Sequence, residues 1–105
     1  MNITHLQEPT RSWCKVVAQT FDLEPHEVRL LVLAGEAWDR GQQSREVLEQ
    51  HGLTFTDRFG QPRARPEVAI ERDSRIAFAR LVRELGLDTL EIAGARPPHI
   101  PVNAR

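Results

Sequence analysis

The stretch Pro25 to Gln50, PHEVRLLVLAGEAWDRGQQSREVLEQ, is the longest periodic segment of the chain and sets what everything else must pack against. Pro25 opens it at the first helical position, where a missing N–H costs nothing, and Gly52 stands just past its end as a glycine exit. The spacing predicts one long helix. Leu30, Ala34, Ala37, Gly41, Ser44 and Leu48 recur at alternating four- and three-residue steps, so they share one face, and most of these side chains are small. Small residues let a neighbouring helix approach closely, at about 1 kcal/mol for each glycine relative to alanine. Two partners are open to that face: another helix of the same chain, or another subunit.

Upstream, Trp13, Val16, Val17 and Phe21 fall at helical spacing with Arg11, Lys15 and Gln19 between them, which predicts a short amphipathic helix over 9–21. The link Asp22-Leu23-Glu24 is short enough to fold this helix back onto the long one, with Trp13 and Phe21 over Val28, Leu31 and Val32. Residues 1–8 show no pattern and are expected to be a loose N-terminus.

Downstream, Leu53 to Thr56 alternates apolar and polar residues, Asp57-Arg58-Phe59-Gly60 has the composition of a turn, and Gln61 to Ala64 follows, so a small β-hairpin or an extended arm is expected. Two strands alone are marginal, which requires the hairpin to lie on the helices or on a neighbouring subunit, with Phe55 and Phe59 as anchors. Pro66 opens a last helix that runs to Leu85 and exits at Gly86. On it Ile70, Ala77, Phe78, Leu81, Val82 and Leu85 occupy an arc of roughly 140°, and Arg72, Arg75, Arg80 and Arg83 gather on the opposite side, with Ile76 among them. The expected fold is all-α, a three-helix core around one long central helix, in a domain spanning 9–88. Prolines at 97, 98 and 101 and the absence of a hydrophobic period mark 89–105 as an extended or disordered tail.

The 105 residues make one domain, and a formal charge of −1 excludes a protein that coats nucleic acid by net charge alone. Lys15 is the only lysine; arginine favours phosphate and carboxylate recognition through its planar fork, and GC-rich coding produces the same skew. Cys14 has no second thiol to pair with and reads as a core residue. Neither a leader pattern nor a bilayer-length apolar run is visible, so an intracellular protein that does not enter membranes is expected.

Little in the chain suggests catalysis. His5, His26, His51 and His99 lie in separate segments without metal-ligand spacing, and the phosphate-cradling glycine loops are missing, so no catalytic residue, metal or cofactor is expected. Glu24, Glu27, Glu36, Asp39, Glu46 and Glu49 are spread like a solvated helix face, with Arg40 and Arg45 as ion-pair partners. The remaining candidate is electrostatic: Arg58, Arg63 and Arg65 in the arm and Arg72, Arg75, Arg80 and Arg83 on the last helix form a basic run broken by Asp57, Glu67, Glu71 and Asp73. Such arginines either hold DNA phosphates in a salt-dependent way or pair with acids of the long helix or of a neighbour.

One family resembles this order of features. Trp13 in an opening helix, Glu36-Ala37-Trp38 in a long helix, LEQHGL from Leu48 to Leu53, a short strand, a turn with Gly60, Pro66 opening another helix, and RELGL from Arg83 to Leu87 look like the phage terminase small subunits, over about residues 10 to 88. The resemblance implies a noncatalytic viral packaging protein, in the cytoplasm of an infected bacterial host, that binds double-stranded viral DNA, forms a ring-shaped homo-oligomer, and presents DNA to the large terminase subunit carrying the ATPase and nuclease. On that reading Leu30, Ala34, Ala37, Gly41 and Ile76 form the oligomer interface, Trp13 and Trp38 anchor the core, and the seven arginines face DNA or the large subunit. The alternative is a small dimeric helical DNA-binding transcriptional regulator, although the connections do not lay out a compact helix-turn-helix. A pure protein-protein adaptor is the third class.

Overall fold

The structure, a computed structural model, describes residues 1–87. The expected tail at 89–105 lies outside them. Three helices, α1 (Glu8–Thr20), α2 (Pro25–His51) and α3 (Pro66–Glu84), are joined by a two-stranded antiparallel sheet of β1 (Thr54–Thr56) and β2 (Pro62–Ala64). The chain is mostly helical, as the periodicities require.

Each helix starts on a proline in its first turn. At α2, Glu24 and Glu27 add a reciprocal capping box, in which the Glu24 N–H donates to Glu27 Oε1 at 2.8 Å. The far end of α2 stops at Gly52, whose φ of 85° with ψ of 177° is a conformation open essentially to glycine alone. Between these limits α2 runs about 40 Å. Helix α3 returns antiparallel along it, bringing Phe78 beside Trp38 and Ser74 against Gly41, where an added Cβ on the glycine would sit 3.4 Å from that of Ser74. Ser74, a polar residue in the middle of the apolar arc, is buried there because only a small side chain fits so close a crossing.

Helix α1 crosses the first half of α2 at Gly35. A Cβ at that position would come within 2.9 Å of Leu6 Cδ1, 3.1 Å of Thr10 Cγ2 and 3.3 Å of Cys14 Sγ. The core forms around this crossing from Ile3, Leu6, Cys14, Val17, Leu31 and Leu85, with Trp13, Phe21, Leu30, Val32 and Leu87 packed on it.

Residues 1–8 are not loose. Ile3 and Leu6 are 6% and 3% exposed, because they close the end of the core that α1 and α2 leave open, and His5 Nε2 reaches Glu36 Oε2 at 2.8 Å. A segment of eight residues with three apolar side chains, Met1, Ile3 and Leu6, is too short to reveal a period.

Asp39 also departs from the solvated face expected for it. Its carboxylate is buried, accepting the Gln7 N–H at 2.7 Å and the Thr10 hydroxyl at 2.6 Å. Gln7 is the residue that precedes α1 and lacks a side-chain cap of its own, so a carboxylate from α2 supplies the negative group favoured at that helix start.

The hairpin differs most from expectation in its placement. Its strands pair in the register Thr54 with Ala64, Phe55 with Arg63 and Thr56 with Pro62, and Asp57 organises the turn by accepting the Phe59 and Gln61 N–H groups at 2.8 and 2.9 Å. Those bonds and the Arg63 guanidinium hold the Asp57 carboxyl below its ordinary range. Phe55 and Phe59, expected as anchors on the helices or on a neighbouring subunit, do not pack on the helices: they are exposed in the chain, and so is every residue of both strands. The hairpin is tied at its root instead, by the Arg65 N–H on the Leu53 carbonyl and Arg65 Nε on the His51 carbonyl.

Candidate nucleic-acid interface

The seven arginines divide into two groups by the elements that carry them. Arg58, Arg63 and Arg65 belong to the hairpin. Arg58 lies over the Phe59 ring, 4.9 Å from its centroid, and Arg65 is 6.0 Å from that of Phe55, so each exposed aromatic carries a cation. Arg63 Nε donates to Asp57 Oδ2 at 2.9 Å.

Arg72, Arg75, Arg80 and Arg83 are all exposed on α3, gathered on one arc as the 100° spacing predicts, with Arg75 at its edge, where it lines a cleft with Gly41, Gln42 and Arg45 of α2. From the first to the last of them the helix rises about 16 Å, comparable to five phosphates along one DNA strand. Arg72 pairs with Asp73 at 3.1 Å and Arg75 with Glu71 at 3.4 Å. Arg80 and Arg83 have no ion-pair partner among the described residues.

The pairing is local wherever it occurs. None of the seven guanidinium groups reaches a carboxylate of α2, one of the two competing uses of these residues; the other is an acid of a neighbouring subunit. Exposed pairs of this kind contribute little, about 0–1 kcal/mol, so a phosphate can replace the carboxylate at small cost. The arrangement offers forked donors on a rigid helix and on a projecting hairpin.

The proposed interface residues are distributed differently. Ala34 and Ala37 are buried inside the chain, Leu30 packs on the core, and Gly41 faces Ser74, so α1 and α3 fill the small-residue face of α2 from within. Ile76 is 49% exposed among the α3 arginines. Leu33, Leu53 and Phe59 are exposed apolar residues that the periodicity of α2 and the hairpin pattern did not single out as surface. Trp38, expected in the core, is 46% exposed and lies across Phe78 with ring centroids 4.9 Å apart.

Cys14 is fully buried; desolvation, and secondarily the Asp39 carboxylate, push its thiol up to about 11, the opposite of what a nucleophile needs. Among the described residues no group of three His, Cys, Asp or Glu side chains is placed to hold a metal ion, and no helix is long and apolar enough to cross a membrane. Comparisons with family models, curated proteins and solved structures give no match to this chain.

Proposed function

We propose that this chain is the noncatalytic small subunit of a phage terminase, binding double-stranded viral DNA through the arginine face of α3 and the hairpin and presenting it to the large subunit. The observation that carries the reading is Arg80 and Arg83, exposed and without acidic partners among the described residues, continuing the line of Arg72 and Arg75 on a chain whose net charge is −1. A phosphate ligand explains why one helix concentrates guanidinium groups that the fold does not use. The resemblance in the order of Trp13, the long helix, Gly60, Pro66 and RELGL supplies the packaging context. Self-assembly into a ring would use Ile76 together with Leu33 and the hairpin aromatics, since Leu30, Ala34, Ala37 and Gly41 are engaged within the chain.

Duplex binding measured across a salt series tests the DNA surface. The intact chain should bind with a steep loss of affinity as salt rises, and Arg72→Glu, Arg80→Glu and Arg83→Glu together should weaken binding and flatten the slope by about one unit per lost phosphate contact. Undetectable binding at low salt would overturn the reading and leave a protein-protein adaptor. Solution mass separates the ring from the dimeric regulator.

A further inference from the structure

Beside the crossing of the three helices lies an open groove of about 290 Å³ lined by Pro9, Thr10, Trp13, Trp38 and Phe78. Phe78 stands between the two indoles, its ring centroid 5.7 Å from Trp13 and 4.9 Å from Trp38. Three aromatic side chains and a proline are thus gathered around a concave surface rather than closed over a core. Neither indole N–H has a hydrogen-bond partner among the described residues. A half-exposed tryptophan with an unused donor is the usual arrangement where an apolar body and one polar contact meet a ligand. The volume sits at the small end of ligand sites, suited to a few side chains of a peptide rather than to a cofactor.

The chain carries a segment with the matching chemistry. Residues 95–102 read ARPPHIPV. Three prolines and an isoleucine offer flat apolar surface, and consecutive prolines restrict the backbone so that little entropy remains to be lost on docking. A proline-rich backbone in extended form has carbonyls free to accept from an indole N–H, which is how such segments dock in aromatic-lined grooves. Reach is ample. From Leu87, the last described residue and itself packed on the core, ten residues lead to Pro97, up to about 33 Å of extended chain. Phe78 is nine residues back along α3 from Leu87, or about 14 Å. A tether of this length holds the segment near the groove at an effective concentration in the millimolar range, so even weak intrinsic affinity fills it.

We propose that the groove of Trp13, Trp38 and Phe78 is the docking site of the proline-rich segment 95–102 of the same chain. The proposal is independent of the DNA reading. It gives α1 and α3, whose Trp13 and Phe78 rings already meet, a shared ligand.

The composition makes the test direct: the protein has two tryptophans and no tyrosine, and both indoles line the groove, so intrinsic emission reports on it alone. The full-length protein is compared with the full-length variant Pro97→Ser, Pro98→Ser, Ile100→Ser, which alters no residue of the described core. The variant should show emission shifted to longer wavelength and stronger acrylamide quenching, and the free peptide ARPPHIPV should reverse both. Equal emission and quenching in the two proteins would overturn the proposal. To identify whose tail docks, the variant is mixed with a tryptophan-free chain, Trp13→Phe with Trp38→Phe, that keeps the native tail. Unchanged emission on mixing is expected; a return of the variant's emission to that of the native protein would mean that the tail comes from another subunit and would overturn docking within the chain.

Discussion

The two ends of α2 carry apolar residues of similar size and treat them oppositely. Near its start Leu31 is fully buried with Cys14 and Val17, whereas just past its end Leu53 is 63% exposed and Phe59 72% exposed. The first end has α1, the N-terminal segment and the last turn of α3 around it; the second has only the start of α3 and a hairpin that points away. Burial here is decided by how many elements converge, not by the hydrophobicity of the residue. The buried core therefore gathers at one end, and exposed apolar side chains at the other.

That contrast can be broken most severely at Leu31. Leu31→Ala should cost about 2–5 kcal/mol, read as a lower denaturation midpoint with an unchanged denaturant slope. Asp39→Ala comes next: it strands the Thr10 hydroxyl and the Gln7 N–H, each an unsatisfied group worth about 1–3 kcal/mol, and it should loosen the start of α1 in hydrogen exchange before the rest of the helix.

Alkaline pH acts on the same end through Cys14. Its thiol ionises at about 11 in the folded chain against an ordinary 9.0, so the unfolded chain loses its proton first. The native state then binds the extra proton, and stability falls as pH rises from 9.0 towards 11, by about 2–3 kcal/mol at most. Cys14→Ala should flatten the pH dependence of the unfolding midpoint over that window. The smallest effect belongs to the other end. Phe59→Ser and Leu53→Ser should each move stability by less than about 0.5 kcal/mol in thermal unfolding. A larger loss would show that the hairpin supports the fold.

Much of this architecture is legible in the residues. Pro25, Gly52, Pro66 and Gly86 bracket the helices because each acts on its own backbone, and the arginine face of α3 follows from a fixed rise and rotation. What resists reading is any fact that depends on a distant partner. Asp39 looks like one more helix carboxylate until the backbone of Gln7, 32 residues away in sequence, is placed beside it. Leu31, Gly35 and Asp39 recur every four residues, and the glycine in that ridge was the available sign that something approached closely there. The small-residue face of α2 suggested close packing correctly, while its occupant could come only from the fold. The turn at Asp57 and Gly60 was readable, and the direction in which the hairpin projects was not.

The hairpin contributes no side chain to the buried core. Its sequence is consequently released from the demands of folding: the tip from Asp57 to Gln61 needs only its turn, and the strands only each other. Variation at Phe55, Arg58 or Phe59 would alter the chemistry of the exposed surface while leaving the helices as they are, so this part of the chain can change without risking the scaffold.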